Sequence, residues 1–359
     1  MKVLTLTRYG NLGASSRLRS IQYFAWLGAA SVNIIHNPLF NNKSLADRYE
    51  QGSYQLSSLI RNYFERLNTL RRRSEFDILW IEKEALPWLP LWVEAFLLSG
   101  TPYVLDYDDA VFHNYDKHRN PLVRFFYGRR LDGLMAKAAL VIAGNSYLAQ
   151  RAQQAGARRV EIIPTVIDLN RYPLASRKKA SDLDKLPRIV WIGTPATVHY
   201  LDLLSDALRE LSKHKPFVIR VIGGGQIVMP GVPVEFVEWS ESTEVESIAS
   251  CDVGIMPLKD SFWERGKCGY KLIQYMACSL PVVASPIGVN TEIVQHGVNG
   301  YLANTTAEWV DALEALLTDS ALRSRMGKAG RQAVEDKYCI QKTWPKMAEL
   351  LKEAAQGVH

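Results

Sequence analysis

The chain has 359 residues, too many for one ordinary α/β domain and enough for two. Hydrophobic residues make up 47% and charged residues 22%, which excludes disordered and collagen-like classes. The net charge of +6 is uneven, because residues 1–180 hold 25 Lys and Arg against 15 Asp and Glu. That basic half indicates either contact with anionic lipid headgroups or an anionic acceptor, or simply a solvated surface, and composition does not choose between them.

The four cysteines form no CxxC pair and no cluster with histidine, so neither a zinc site nor a disulfide framework is predicted, and a reducing, cytoplasmic compartment fits. Residues 1–7 alternate in polarity, which predicts a first β-strand and not a signal peptide. The most apolar stretch, residues 85–98, is too short and too interrupted by proline to span a bilayer. It predicts a core helix, so any membrane contact is expected to be peripheral.

Strands and helical segments alternate in the first half, which predicts a parallel sheet covered on both faces. The predicted strands are 3–6, 76–81, 102–105, 140–143 and 160–163. The clearest helical segment has one apolar stripe at helical spacing: Leu56, Leu59, Ile60, Tyr63, Phe64, Leu67 and Leu70.

The alternation pauses at 168–187, where two prolines and the basic cluster Arg177-Lys178-Lys179 are typical of a linker. It then restarts with predicted strands at 188–193, 217–222, 234–237, 253–256 and 281–284. We therefore expect an α/β fold with domains at 1–172 and 186–337, and a helix over 340–359 that returns to the first domain. Open parallel sheets bind ligands at the carboxyl ends of their strands, so the chemistry is expected in a cleft between the domains.

The most informative stretch runs from Asp252 to Ala284. A buried strand ends there in a polar loop, and Gly269 opens a helix whose free N–H groups and positive dipole end suit a phosphate. Lys267 and Lys271 lie at that start, either on one helical face or with Lys267 in the loop, and either placement brings two cations to a diphosphate. Gln274 has the donor and acceptor groups that ribose hydroxyls require. The alternative is a solvated lysine pair at a helix start.

This stretch resembles the donor-binding motif of the retaining glycosyltransferases of family four, the glycosyl transferases group 1. The run from Tyr275 to Val283 matches, but Gly266 and Gln274 stand where that family has Glu-x7-Glu, so the resemblance is to a variant subgroup. It implies the GT-B fold, with two Rossmann-like domains whose parallel sheets face across a cleft. It also implies a UDP- or GDP-sugar as co-substrate, with no bound cofactor and no metal.

The resemblance suggests further donor contacts. Many members carry Arg and Lys after the strand where this chain has Gly193, Thr194 and His199, so Lys267 and Lys271 are expected to supply the missing charge. Glu292 corresponds to a region that faces the donor diphosphate and sugar, although an exposed acid at a helix start is an equally good interpretation. Trp239 and Ser240 follow the strand beside which the family holds the nucleobase.

In the first domain, residues 8–17 form a glycine loop that the family places against phosphate and acceptor. Gly13 is expected at the donor phosphate, Arg17 on the acceptor side, and Ser15 or Ser16 as the cap of the next helix. Asp106, Asp108 and Asp109 follow a predicted strand, with His113 close behind. We expect Asp108, Asp109 and His113 to act in catalysis, Asp106 to lie on the acceptor side, and one of the three aspartates to cap a helix.

The residues and the resemblance together predict a metal-independent retaining hexosyltransferase of polysaccharide or cell-envelope synthesis, acting on a glycan or lipid-linked acceptor and not on nucleic acid. No protein nucleophile is evident, so front-face attack with the donor phosphate as base is expected. Two rival hypotheses remain. A non-catalytic sugar-nucleotide-binding subunit would explain the missing glutamates, and a nucleotide-sugar epimerase would act without an acceptor.

Overall fold

The computed structural model describes residues 1–174 and 186–357, apart from the side chains of Ala46 and of residues 48–51. The predicted basic cluster Arg177-Lys178-Lys179 and the last two residues of the predicted helix 340–359 lie outside the described residues. The chain forms two compact units. Unit 1 holds Met1–Thr165, Gly266–Cys268 and the chain from Thr343 onward, and unit 2 holds Val166–Arg265 and Gly269–Lys342.

Unit 1 is built on a six-stranded sheet in the order β2-β1-β3-β4-β5-β6, and every pair is parallel. Its strands are β1 Lys2–Tyr9, β2 Asn33–Phe40, β3 Ile78–Glu82, β4 Tyr103–Tyr107, β5 Leu140–Ala143 and β6 Val160–Ile162. The flanking helices are α1 Ala14–Arg19, α2 Phe24–Ala29, α3 Asn42–Gln51, α4 Leu56–Arg71, α5 Leu91–Leu98, α6 His113–Asp116, α7 Pro121–Tyr127, α8 Arg130–Met135 and α9 Ser146–Gln154.

Unit 2 is built on a second parallel sheet in the order β12-β11-β10-β7-β8-β9. Its strands are β7 Arg188–Ile192, β8 Val218–Ile222, β9 Val234–Val237, β10 Val253–Met256, β11 Val282–Ala284 and β12 Gly300–Leu302. The helices are α10 Ser205–Ser212, α11 Glu244–Ala249, α12 Phe262–Arg265, α13 Tyr270–Ala277, α14 Asn290–Ile293, α15 Thr306–Thr318 and α16 Ser320–Lys337, and α17 Ile340–Gln356 follows.

The two cores of unit 2 lie on opposite faces of its sheet. Ile189 and Trp191 of β7 enter one buried cluster, and Val190 and Ile192 enter the other. Successive side chains of a strand point to opposite faces, so an unbroken apolar run is what a sheet covered on both sides requires. The α/β class with two parallel sheets, as the sequence predicted, is therefore confirmed.

Strand order fixes where ligands are expected in each unit. Neighbouring strands whose connections leave in opposite directions create a crevice at their carboxyl ends. In unit 2 that point lies between β7 and β10, so Gly193 and the loop before Gly269 flank it. In unit 1 it lies between β1 and β3, so the glycine loop after Tyr9 and the segment after Glu82 flank it.

Three expectations about unit 1 need correction. β2 was not predicted, because Pro38 and two polar residues interrupt it, and proline is tolerated since β2 is an edge strand. Residues 85–98 form a helix only over α5, which leaves Trp92 and Phe96 74% and 71% exposed. The apolar stripe of α4 is partly exposed as well, because Leu56, Ile60 and Phe64 are exposed and only Leu70 is fully buried.

The last helix joins unit 1 from Thr343 onward. Trp344 stacks on Trp26, with ring centroids 5.9 Å apart. Glu353 accepts a hydrogen bond from Arg159, at 2.7 Å. Pro345 lies within α17. Among residues 1–174 and 186–357, no helix is both long and apolar enough to cross a bilayer.

Candidate functional site

The glycine loop of unit 1 turns directly into α1. Gly13 is the N-cap of α1, and a Cβ there would lie 2.4 Å from Cβ of Tyr9. The prediction that Ser15 or Ser16 caps this helix is wrong, because the cap makes no side-chain hydrogen bond. The Ser16 hydroxyl is engaged elsewhere, since it donates to Oε2 of Glu82 at 2.6 Å and accepts from the backbone N–H of Tyr9 at 3.0 Å.

Arg17, expected on the acceptor side, is half-buried and donates from Nη1 to the backbone oxygen of Asn11 at 3.0 Å. That contact keeps part of its guanidinium on the glycine loop itself.

Asp106 lies inside β4 and has no exposed surface. The Arg19 guanidinium pairs with its Oδ1 at 2.7 Å. Burial raises the pKa of the Asp106 carboxyl to about 6 in spite of Arg19. β4 extends beyond the predicted end of the strand, so Asp106 lies within the sheet. Its burial does not favour the expected contact with an acceptor.

Asp108 and Asp109 lie just past the end of β4 and share a lysine. Nζ of Lys83 is 2.8 Å from Oδ1 of Asp108 and 4.0 Å from Oδ2 of Asp109. The same Nζ lies 3.2 Å from the Ser15 hydroxyl. The side chain of Asp108 is 11% exposed and that of Asp109 is 30% exposed, so Asp109 is the carboxylate with room for a ligand.

The two carboxylates titrate apart. Burial and the charge of Asp108 together raise the pKa of Asp109 to about 6, against the opposing pull of Lys83 and Lys267. Burial also disfavours a charged Asp108, but the Lys83 ammonium outweighs it and holds the pKa of that carboxyl below its ordinary value. The environment therefore keeps Asp108 ionised and moves the pKa of Asp109 up towards neutral pH, as in paired catalytic carboxylates.

The short segment Gly266–Cys268 completes this part of unit 1. Nδ2 of Asn145 donates to the backbone oxygens of Gly266 and Lys267, at 3.1 and 2.9 Å. Oδ1 of the same residue caps α9 by accepting a hydrogen bond from the N–H of Leu148 at 2.9 Å. One amide thus ties the start of α9 to the backbone that carries Lys267.

Two expectations concern the residues after β4. His113 is buried, with Nδ1 2.7 Å from Oδ1 of Asp116 and Nε2 2.9 Å from the Tyr147 hydroxyl. Both ring nitrogens are hydrogen-bonded within the fold, and the catalytic role of His113 stays a prediction. None of the three aspartates caps α6, whose N-cap is Phe112 without a side-chain hydrogen bond.

The helix start in unit 2 is formed by Gly269. Gly269 is the N-cap of α13 in the left-handed region, with φ +64°, and a Cβ there would lie 2.4 Å from Cδ1 of Ile293. The structure decides between the two placements of Lys267, which lies in the loop and not on the helix. Lys271 is in the first turn of α13.

Trp191 brings the predicted donor residues of unit 2 together. Nζ of Lys271 lies 5.0 Å from the centroid of its ring. A Cβ on Gly193 would lie 2.2 Å from Cη2 of the same indole, and one on Gly224 would lie 2.7 Å from Cζ3. The exposed Thr194 turns the chain through its backbone oxygen, which accepts from the N–H of Thr197 at 2.9 Å. Lys271 and the two glycine loops therefore meet at one end of the sheet.

Gln274 and Trp239 are linked by a buried polar network. Gln274 is 2% exposed, and its Nε2 lies 3.4 Å from the Tyr172 hydroxyl. Glu244 accepts from that hydroxyl at 3.0 Å and from Nε1 of Trp239 at 2.6 Å. Ser240 lies beside this network, with its Oγ 2.6 Å from the Thr243 hydroxyl.

Two glutamates near the motif differ in exposure. Glu292 is exposed on α14. Glu264 is 3% exposed and accepts hydrogen bonds from Ser261 and, at 2.6 Å, from the Tyr200 hydroxyl. Burial disfavours a charged Glu264, but these donors lower the pKa of the carboxyl overall. Among the described residues, no group of three or more His, Cys, Asp or Glu side chains is placed to hold a metal ion.

Solved structures resemble the whole chain. Sucrose-phosphate synthase from Thermosynechococcus elongatus has a TM-score of 0.71 at 14% identity, covering 98% of both chains. HepE from Anabaena, in complex with UDP, has a TM-score of 0.68 at 18% identity, covering 98% of this chain and 100% of that one. The chain has the GT-B fold. At these identities the likeness establishes the fold alone.

The match to a family model lies in the second half of this GT-B chain. Residues 186–319 match the family model described as Glycosyl transferases group 1. The D-inositol 3-phosphate glycosyltransferase of Pseudarthrobacter chlorophenolicus is 32% identical over 132 residues, 36% of this chain and 30% of that protein. Its counterpart from Nocardia farcinica is 26% identical over 222 residues, 55% of this chain and 47% of that protein. The matched segments span less than half of either relative.

Sequence reasoning missed four contributors: Lys83, Arg19, Asn145 as a clamp, and Glu244. Lys83 directly follows β3 at the switch point of the sheet, so strand order would have identified it. The other three belong to buried pairings between segments distant in sequence, and no local pattern marks such pairings.

Proposed function

We propose that the chain is a glycosyltransferase that moves a sugar from a nucleotide-diphosphate donor to an acceptor. The observation that carries this proposal is the convergence of Lys271, Gly193 and the start of α13 at Trp191. A helix start, two close-approach glycine loops and a cation together suit a diphosphate. The group 1 match over 186–319 and the UDP complex of HepE support the same ligand.

In this proposal unit 2 holds the donor. Lys271 and the N–H groups of α13 neutralise the leaving diphosphate, with Thr194 and Glu292 beside it. We assign Gln274, Trp239 and Ser240 to the ribose and base, with Tyr172 as the hydrogen-bond partner of Gln274. Electrostatic stabilisation of a leaving phosphate is worth several kcal/mol in preorganised sites, typically about 3 for each donor removed. Metal independence is part of the proposal, and Lys271 supplies positive charge instead.

Unit 1 holds the acceptor. Asp109, with its pKa near 6, accepts a hydrogen bond from an acceptor hydroxyl beside the attacking one, while Asp108 keeps Lys83 in place. The donor phosphate takes the proton of the attacking hydroxyl, which corresponds to front-face attack with retention of configuration. The acceptor is a glycan or a lipid-linked saccharide of envelope polysaccharide synthesis. The protein works in the cytoplasm, at an anionic membrane that it contacts through unit 1.

The test is donor binding and turnover by the Lys271→Ala variant. We expect UDP or GDP to raise the melting temperature of the native chain, and Lys271→Ala to weaken that nucleotide about tenfold and to slow sugar release. Lys259→Ala removes an exposed lysine of the same unit and serves as the matched control. Donor affinity and turnover that survive in Lys271→Ala would overturn the proposed site. Binding without transfer or hydrolysis would favour the non-catalytic subunit, and a new sugar nucleotide formed without acceptor would favour the epimerase.

A further inference from the structure

Helix α4 is turned with its apolar side outward. Leu56, Ile60 and Phe64 are 70%, 62% and 59% exposed, although such a stripe ordinarily faces the core. The buried positions of the helix are Asn62, Arg66 and Leu70. A protein that exposes a continuous apolar stripe commonly uses it to bind something.

The orientation of α4 is fixed by Arg66, which is 1% exposed. Its guanidinium donates to the backbone oxygens of Thr7, Asn37 and Ala85, at 2.7, 2.8 and 3.0 Å. A buried guanidinium loses much free energy if these partners are removed. Rotating the apolar stripe into the core would expel Arg66 from them, so the outward stripe is a stable feature of the fold.

The stripe forms one wall of a cavity of about 700 Å³ in unit 1, with Leu59, Ile60 and Phe64 on that wall and Pro87 and Trp88 among the residues opposite. The Tyr63 hydroxyl donates to the backbone oxygen of Pro87 at 2.8 Å, which ties the walls together. Trp88 has φ +63° and is 48% exposed. A bulky residue in the left-handed region is strained, and such strain concentrates at ligand sites.

Arg8 is the charged side chain among the described residues that line this cavity. Its Nε is buried and makes no hydrogen bond within the described chain. Burial alone would lower the pKa of Arg8, but Tyr9, Glu84 and Glu82 raise it above the ordinary value, so the cation is retained. The backbone N–H of Arg8 donates to Glu82, the residue before Lys83, at 2.9 Å. Glu82 in turn lies 3.8 Å from Nζ of Lys83, so the backbone of Arg8 is linked through Glu82 to the lysine that Asp108 and Asp109 share.

We propose that this cavity binds the hydrocarbon chain of a lipid-linked acceptor, with an anionic phosphate of that acceptor on Arg8. The volume lies within the range of small-molecule sites, and each buried methylene contributes about 0.8 kcal/mol. A guanidinium with an unused N–H matches a phosphate oxygen. This inference rests on the proposed function, which requires an acceptor. It narrows the acceptor from any glycan to an amphipathic molecule.

Calorimetric titration with farnesyl phosphate tests the site in the full-length protein, with farnesol and inorganic phosphate as the two half-ligands. We expect farnesyl phosphate to bind more tightly than either half. The double variant Ile60→Gln, Phe64→Gln is expected to lose about tenfold in affinity for it. Phe96→Gln is the matched control, because Phe96 is 71% exposed on another helix of unit 1. Arg8→Gln is expected to reduce the protein's preference for farnesyl phosphate over farnesol.

Several results would overturn the assignment: no binding of farnesyl phosphate, equal binding by the double variant, or equal affinity for farnesol. If the double variant lost binding to phosphatidylglycerol vesicles to the same extent, the stripe would be a membrane-contact surface and not an acceptor site. Thermal shifts with UDP and GDP on the same variants report separately on unit 2. Intact nucleotide binding with no farnesyl phosphate binding would sink this inference alone.

Discussion

Asp109 is the residue whose protonation should control turnover. To accept a hydrogen bond from an acceptor hydroxyl the carboxylate must be ionised, and its pKa is raised to about 6 by burial and by Asp108. We therefore expect kcat/KM to rise about tenfold per pH unit below that value and to level off above it. The measurement is the pH profile of kcat/KM for sugar transfer, compared with Asp109→Asn. An Asp109→Asn enzyme that kept the wild-type rise would remove this carboxylate from the mechanism.

The same shift affects stability with a definite sign. A carboxyl whose folded pKa lies above its unfolded value favours folding when protonated, so its contribution is lost as pH rises from about 4 to about 6. Asp109→Asn should therefore unfold at higher denaturant than the wild type at pH 7, and the difference should vanish near pH 4. A stability profile for Asp109→Asn parallel to the wild type would show that the fold does not raise this pKa.

The roles of single side chains were the hardest feature to predict from the sequence. Asp108 and Asp109 were recognised because they follow a strand, where parallel sheets present their ligands. Asp106 and His113 were selected by the same pattern. In the structure, however, Asp106 pairs with Arg19, and His113 lies within hydrogen-bond distance of Asp116 and Tyr147. Whether a polar side chain is open or already paired depends on residues far away in sequence, and one sequence does not record those pairings.

Secondary-structure elements were predicted best where the pattern was purely apolar. β9 and β10 have the predicted limits, as does β5 in unit 1. Two edge strands were missed, because Pro38 and polar residues interrupt β2 and because β12 is only three residues long. α4 was predicted as a helix, but its orientation was not predicted. Periodicity shows that a helix has an apolar and a polar face, but it does not show which face packs against the core.

The start of α13 offers a test at the scale of an element. Gly269 has φ +64°, and an added Cβ would lie 2.4 Å from Cδ1 of Ile293. We expect Gly269→Ala to lower the free energy of unfolding by about 2 kcal/mol and to weaken nucleotide binding, because the helix start must shift. Chemical denaturation and calorimetry with UDP or GDP measure the two effects.

Gly297→Ala is the matched control for that experiment. Gly297 has φ +79°, and no atom of the described residues lies within 4 Å of an added Cβ. The variant therefore has the strain of the left-handed backbone but no steric clash. It should lose about 1 kcal/mol and bind nucleotide as the wild type does. Equal losses in both variants would mean that the contact with Ile293 does not position α13.

For the molecule as a whole, the uneven charge has a definite location. Lys117, Arg119, Arg124 and Arg129 are exposed around α7, and no Asp or Glu occurs between 117 and 130. Leu122, Phe125 and Phe126 on this helix are 64%, 82% and 71% exposed. Residues three and four apart share a helical face, so three large apolar side chains project together from a basic surface. Cationic helices with such a face bind anionic bilayer surfaces.

We therefore expect the protein to co-sediment with phosphatidylglycerol vesicles, less with phosphatidylcholine vesicles, and less again at high salt. The double variant Phe125→Ser, Phe126→Ser should lose about tenfold in vesicle affinity, since each phenyl ring gives up apolar burial. Leu203→Ser, Val228→Ser removes two side chains of unit 2 that are 53% and 88% exposed, and it should bind as the wild type does. Binding that ignores lipid charge, or that both double variants reduce alike, would mean that the basic surface of unit 1 meets only solvent.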